Sequence, residues 1–392
     1  MSEHDRDPPP ETWPEFLHPK LRLFLSVDVV NSTAFKQDAS KGGGDQADEA
    51  TSEPWFVPIT QFYGRIEKYF ADYWQRTSHL LRTRKRWQPG EAPEFWKAAG
   101  DEVIYQKIIS DQHQILTCVL AWKMAVNQYR PELKSKFPKL DLKAAAWLAG
   151  FPVNNTEVVL RSRFRGRLED DCDDDDSVVS NMKCLNTYYS PEPFGRAGLI
   201  RDFIGPSMDT GFRVATRATP RKLALTVDLA WMLSSTYRNV SDLVRNDPEL
   251  TMFFRYDGGI ELKGVTAGRP YPFFWIDMED SEPNKSLHDL EDKLKDQKMP
   301  EAQAVQEFCE AFFASQEGGH VMRPFVWNRD SLEDSIDVPE RHRKRLRVLA
   351  ALWNKSRTDT PPDSYGTETL EDPDDTVEAL GLMATRHGVN PP

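Results

Sequence analysis

The chain has 392 residues, with 62 acidic and 50 basic side chains and a net charge of −12. That acidity excludes broad nucleic-acid binding, which needs a basic surface to neutralise phosphates. No apolar run approaches the ~20 residues of a membrane helix, while 39% hydrophobic residues and 11 Trp allow a substantial core.

Residues 1–20 are polar and proline-rich, lack the apolar core of a signal peptide, and read as a flexible arm docking only near Phe16 and Leu17. Leu21, Leu23, Leu25 and Val27 then alternate with Arg22, Phe24 and Ser26, the pattern of a strand with at least one buried face. The run ends on Asp28. Among apolar neighbours a lone carboxylate is costly, so such an acid is usually paired or holds a metal. Asn31, Ser32 and Thr33 follow, small polar residues suited to a turn that exposes backbone N–H groups or opens a helix.

Residues 36–54, with three consecutive glycines, read as a loop. Ile59, Phe62, Tyr63, Ile66, Tyr69, Phe70 and Tyr73 recur at helical spacing and predict a helix over residues 56–81, its aromatic stripe packed as core. Phe62 or Tyr63 is the candidate from that stripe for stacking on a base. The basic run at residues 82–86 reads as a solvated strand face, with a positive rim for a triphosphate as the functional alternative. Gly100-Asp101-Glu102 sits between two apolar runs and predicts a hairpin turn with Asp101 projecting from its tip. Two strand-borne aspartates separated by a helix-length segment are the minimum kit for two-metal phosphoryl transfer, with Mg²⁺ or Mn²⁺ serving a nucleotide.

Further along, residues 115–127 predict a second helix and residues 142–153 a strand. The acidic run at residues 169–176 lacks the Gly and terminal Glu of a calcium loop and reads as a solvated loop. A helix over residues 213–233 and a strand pair within 252–276 follow. Helical spacing at residues 287–295, 302–313 and 339–353 predicts an extension. The expected organisation is an arm (1–20), a catalytic domain (21–280), a helical extension (281–355) and a disordered tail (356–392). Cys118, Cys172, Cys184 and Cys309 have no ligand spacing and read as reduced thiols in a cytoplasmic protein.

Four segments in order resemble the class III nucleotidyl cyclase domain across residues 21–278: the Asp28 to Thr33 strand end, Lys97-Ala98-Ala99-Gly100-Asp101, the stretch from Ile204 to Arg217, and Ile260 to Val265 with its Lys263-Gly264 turn. The resemblance implies an α+β fold, a ferredoxin-like or palm-like mixed sheet flanked by helices, here with the C-terminal extension. It implies that Asp28, Asp101 and the Val29 carbonyl hold two Mn²⁺ or Mg²⁺ ions, and that Asn31, Ser32 and Thr33 cradle phosphates. Lys97 would read the base and Arg217 would be the transition-state arginine; Arg213 stands where the family has Asn. The acid with which purine cyclases read adenine would fall at Pro206 and is missing there.

The hairpin, the Gly205-Pro206 helix start and the residue 262–275 segment further resemble the pyrimidine cyclases of bacterial anti-phage signalling. A lone Lys97 meets two carbonyls on uracil and one on cytosine, which favours UTP and cyclic UMP. The alternatives, in order, are cyclic CMP, a purine cyclase and a non-catalytic nucleotide-binding domain. The resemblance also implies a homodimer with two composite active sites and a cyclic nucleotide that acts on a separate effector protein, with no nucleic-acid or membrane partner.

Overall fold

The computed structural model describes residues 13–41, 53–161, 174–190, 198–244, 247–278, 284–296, 299–315, 321–327 and 336–358. The chain divides into residues 1–350 and 351–392, and the described part of the second unit is the end of its last helix.

The first half is a ferredoxin-like βαββαβ unit. Its elements are β1 (Lys20–Val30), α1 (Ser32–Lys41), α2 (Phe56–Lys85), β2 (Glu94–Ala99), β3 (Glu102–Ile109), α3 (His113–Lys136) and β4 (Asp141–Phe151). Then come β5 (Thr156–Arg161), α4 (Asp174–Tyr189), β6 (Leu199–Ile204), α5 (Pro206–Ala215), β7 (Lys222–Leu225), α6 (Val227–Tyr237), α7 (Ser241–Val244), β8 (Phe254–Ile260) and β9 (Tyr271–Asp277). Helices α8 (Asn284–Leu294), α9 (Ala302–Ser315) and α10 (Glu340–Thr358) follow. The main sheet runs β2-β3-β1-β4-β7-β9-β8, with only β4 and β7 parallel, and β5 and β6 form a separate ribbon. This is the expected α+β mixed sheet flanked by helices. No helix of the described residues is long and apolar enough to cross a membrane.

Strand alternation decides which residues face which layer. The odd-numbered β1 residues, Leu21 to Val29, join the large core beneath α2, α3 and α6. The even-numbered face carries Arg22, Phe24, Ser26 and finally Asp28. There Phe24 packs with Trp147, Phe203 and Met208 in a second core under α5. Helix α5 can lie this close because residue 211 is glycine: a Cβ there would come within 2.3 Å of the Trp147 indole. Arg22 is wholly buried on that face, yet its guanidinium reaches Glu157 (2.7 Å), Gln106 (2.7 Å) and the Tyr189 hydroxyl (3.0 Å). The buried charge is thereby paired and hydrogen-bonded, as burial requires.

Several sequence expectations are corrected. Part of residues 36–54 belongs to α1, and residues 42–52 lie outside the described residues. The basic run at residues 82–86 closes α2, with Arg86 left-handed at its C-cap, and is no strand. Cations suit a helix C-terminus, where carbonyls accumulate negative charge. Helix α3 passes through Pro131, well beyond residue 127, because Tyr129 and Leu133 are buried in the main core and hold the last turns. In the acidic run, residues 174–176 open α4, and 169–173 lie outside the described residues. Cys118, Cys184 and Cys309 are free thiols.

Candidate active site

Two elements distant in sequence meet at the tip of β1. The strand register sets Asp28 between Glu102 on β3 and Lys143 on β4, and Lys143 Nζ lies 2.8 Å from Asp28 Oδ2. Asp101 arrives on the hairpin turn, where Gly100 takes the left-handed φ of 69° that a side chain would resist. The Val29 N–H donates to the Asp101 carbonyl at 3.2 Å and fixes the turn beside the strand tip. The Tyr63 hydroxyl donates to the Gly100 carbonyl. The Asp101 carboxylate accepts from the Ser32 hydroxyl and meets Lys36 Nζ at 3.4 Å.

Ser32 is also the first residue of α1. The backbone N–H groups of a helix's first turn have no acceptor within the helix, and they point toward any anion placed before it. A cleft of about 530 Å³ is lined by Asp28 through Ala34, Asp101, Lys143 and the 218–220 turn. Within it, burial pushes the Asp28 carboxyl above its ordinary range, with Asp101 adding to the shift and Lys143 opposing it. Burial, then Asp28, does the same to Glu102. Hard carboxylate oxygens whose charge is incompletely offset suit Mg²⁺ or Mn²⁺. Among the described residues no group of three or more His, Cys, Asp or Glu forms a closed metal cage. An ion on Asp28 and Asp101 would therefore complete its shell with the Val29 carbonyl, water or phosphate oxygens.

The other candidates lie outside this cleft. Lys97, on β2, donates to Asp202 Oδ1 on β6 at 3.0 Å, and its Nζ stands 4.0 Å from the centre of the Trp96 ring. Phe212 of α5 is 5.9 Å from the same Nζ. Arg213 occupies the last turn of α5, and its guanidinium approaches Gly264. Arg217 donates to the Glu261 carbonyl at 3.0 Å. The described residues thus place an acidic cleft at the tip of β1, a Lys97–Asp202 pair between β2 and β6, and Arg213 and Arg217 against the Glu261–Gly264 loop.

The helix expected over residues 213–233 is in fact two. α5 ends at Ala215, so Arg217 sits in the following turn, where the Arg217 N–H bonds the Val214 carbonyl. Pro220 disfavours helix for the residue before it, and Leu223 to Leu225 pair with β4 and β9 instead. Four residues before Pro206, Asp202 pairs with Lys97. Lys97 is therefore not alone, and the preference for uracil drawn from a lone lysine loses its basis. Phe62 is fully buried against Tyr129 and is core. Asn31 turns its amide to the Lys139 carbonyl at 3.1 Å and contributes backbone to the cleft. Lys143 comes beside Asp28 only through the pairing of β4 with β1, and Asp202 reaches Lys97 from the separate β5–β6 ribbon, neighbours that no local pattern shows.

Among solved structures, the chain is similar to the adenylyl cyclase CyaB from P. aeruginosa, at 11% identity and TM-score 0.38, over 68% of this chain and 97% of that one. It is also similar to the guanylate cyclase domain of RhGC from Catenaria anguillulae, solved with GTP, at 10% identity and TM-score 0.31, over 67% of this chain and 100% of that one. No family model and no curated protein matches. At such identities and scores, the functional reading rests on the side chains themselves.

Proposed function

We propose that the chain is a nucleotide cyclase that converts UTP to 3′,5′-cyclic UMP and pyrophosphate. The carrying observation is the acidic cleft: Asp28 from β1 and Asp101 from the turn between β2 and β3 meet in front of the first turn of α1. In this reading the N–H groups of Ser32 and Thr33 bind the triphosphate chain and orient its α-phosphorus toward the ribose 3′-hydroxyl. Divalent cations held by Asp28, Asp101 and the Val29 carbonyl would supply charge neutralisation and a more acidic 3′-hydroxyl. Arg213 and Arg217 would face the charge that builds on the α-phosphoryl oxygens, released from the Gly264 and Glu261 loop. Lys97 and Asp202 offer one donor and one acceptor side by side, which uracil meets with O4 and N3–H.

A second reading, a cytidylate cyclase, is favoured by Asp202, which can accept from the exocyclic amino group of cytosine while Lys97 donates to N3. The sequence resemblance to anti-phage pyrimidine cyclases supports a cytoplasmic second-messenger role acting through a separate effector. It also supports a homodimer, because Lys97, Arg213 and Arg217 of one protomer would complete the partner's acidic cleft.

The shared-site form of this reading predicts complementation. Asp28→Ala chains and Arg213→Ala/Arg217→Ala chains should each be inactive alone. Co-expressed in equal amounts with random pairing in a two-fold dimer, they should recover about a quarter of wild-type turnover. No recovery, with heterodimers demonstrated by differential tags, would sink the composite site.

A further inference from the structure

A larger cavity shares no lining residue with the acidic cleft, and nothing in the proposed reaction uses it. A half-open space of about 950 Å³ lies between β5, α4, the start of α10 and the segment around Met322, the upper end of what small-molecule sites usually measure. Its walls are mostly apolar, with Leu17, Val158, Met182, Leu185 and Leu349 among them. Its rim is cationic: Arg341, Lys344 and Arg345 line it from successive turns of α10, and all three are exposed. Arg341 and Arg345 meet no carboxylate among the described residues, and Lys344 has only a loose 3.8 Å contact with Glu340. The one acid in the lining, Glu157, is already engaged with Arg22 and Tyr189.

His342 gives an independent sign that this space is built for an occupant. It is 2% exposed and lines the cavity, and since the Phe151 backbone can serve only one of its two ring nitrogens, at least one nitrogen is left unmatched. Burial lowers its pKa to about 4, only partly opposed by the Phe151 backbone, so the ring is neutral at pH 7 with one nitrogen donating and one accepting. Buried polar atoms left unmatched are costly and rare in folded proteins.

From the apolar walls, the cationic rim and the buried His342 nitrogen left without a partner, we infer that this cavity binds a small amphipathic anion, an alkyl chain ending in a carboxylate or phosphate. The chain would fill the space between β5 and α4, and the head group would lie against Arg341 and Arg345. This site stands whether or not the chain is a cyclase.

Calorimetric titration of the full-length protein below the micellar range tests it, using dodecanoate, dodecyl phosphate, dodecanol and dodecyltrimethylammonium. At least one of the two anions should bind one per chain, and at least tenfold more tightly than the alcohol or the cation. Whichever anion binds names the head group. Arg341→Glu/Arg345→Glu, on an exposed helix face, should weaken that binding at least tenfold without altering thermal unfolding. Val158→Trp, which fills the cavity, should weaken it as much. Equal binding of all four head groups, no binding by either anion, or binding that survives both variants overturns the assignment.

Discussion

Replacing Asp28 by Asn is expected to lower turnover about a thousandfold or more while making the cation-free protein more stable at neutral pH. The first effect follows from losing one of the two carboxylates able to hold a cation at the phosphates. The second follows from the raised pKa of Asp28. An acid whose folded pKa exceeds its unfolded value contributes stability that is fully present below the unfolded value. That contribution is lost as pH rises through the folded one. At neutral pH the native Asp28 is therefore a charged group the fold disfavours, even with Lys143 at 2.8 Å. Asn removes that penalty, whereas Mn²⁺ offsets it in the wild type. Thermal unfolding with and without MnCl₂ should show the wild type gaining stability and Asp28→Asn gaining almost none. A variant that loses activity and stability together would instead make Asp28 a structural partner of Lys143.

The second large effect concerns stability. Glu157→Ala should cost about 3–5 kcal/mol, because it leaves the fully buried Arg22 charge without its carboxylate. Although burial alone would raise the Glu157 pKa, Arg22, then Lys20 and Arg201, draw it down to about 2 from 4.5. A depressed acid contributes stability that is present above its unfolded pKa and lost as pH falls through the folded one. Wild-type stability should therefore fall between pH 4.5 and about 2, and Glu157→Gln should flatten that part of the profile. Urea unfolding across this range checks both statements. An unchanged slope in Glu157→Gln would show that other carboxylates set the acid limit.

Much of this architecture was legible in the chain because periodicity carries it. The alternation from Leu21 to Asp28 marked both faces of β1, and Gly100 marked the hairpin that delivers Asp101. The aromatic stripe of α2 marked the helix that covers them. What stayed hidden depends on contacts between segments. Helix α1 is polar and short, so nothing in its spacing separated it from a loop. Strand β7 has four residues and exists because β4 and β9 flank it. The site was partly legible for the same reason: Asp28, Ser32 and Asp101 stand at element ends that turn chemistry can flag. Lys143 was invisible as a partner until β4 paired with β1. Asp202 was missed because nothing in its own segment marks it, and it matters only once β6 brings it against Lys97 of β2.

The most direct measurement offers the purified protein ATP, GTP, CTP and UTP separately with Mn²⁺ and resolves the products by chromatography and mass. The account predicts a 3′,5′-cyclic pyrimidine nucleotide with equimolar pyrophosphate, cyclic UMP first and cyclic CMP for the second reading, absent from Asp101→Ala. A cyclic purine would contradict the pyrimidine assignment and place adenine or guanine against Lys97 and Asp202. No cyclic product from any of the four would contradict the cyclase reading itself.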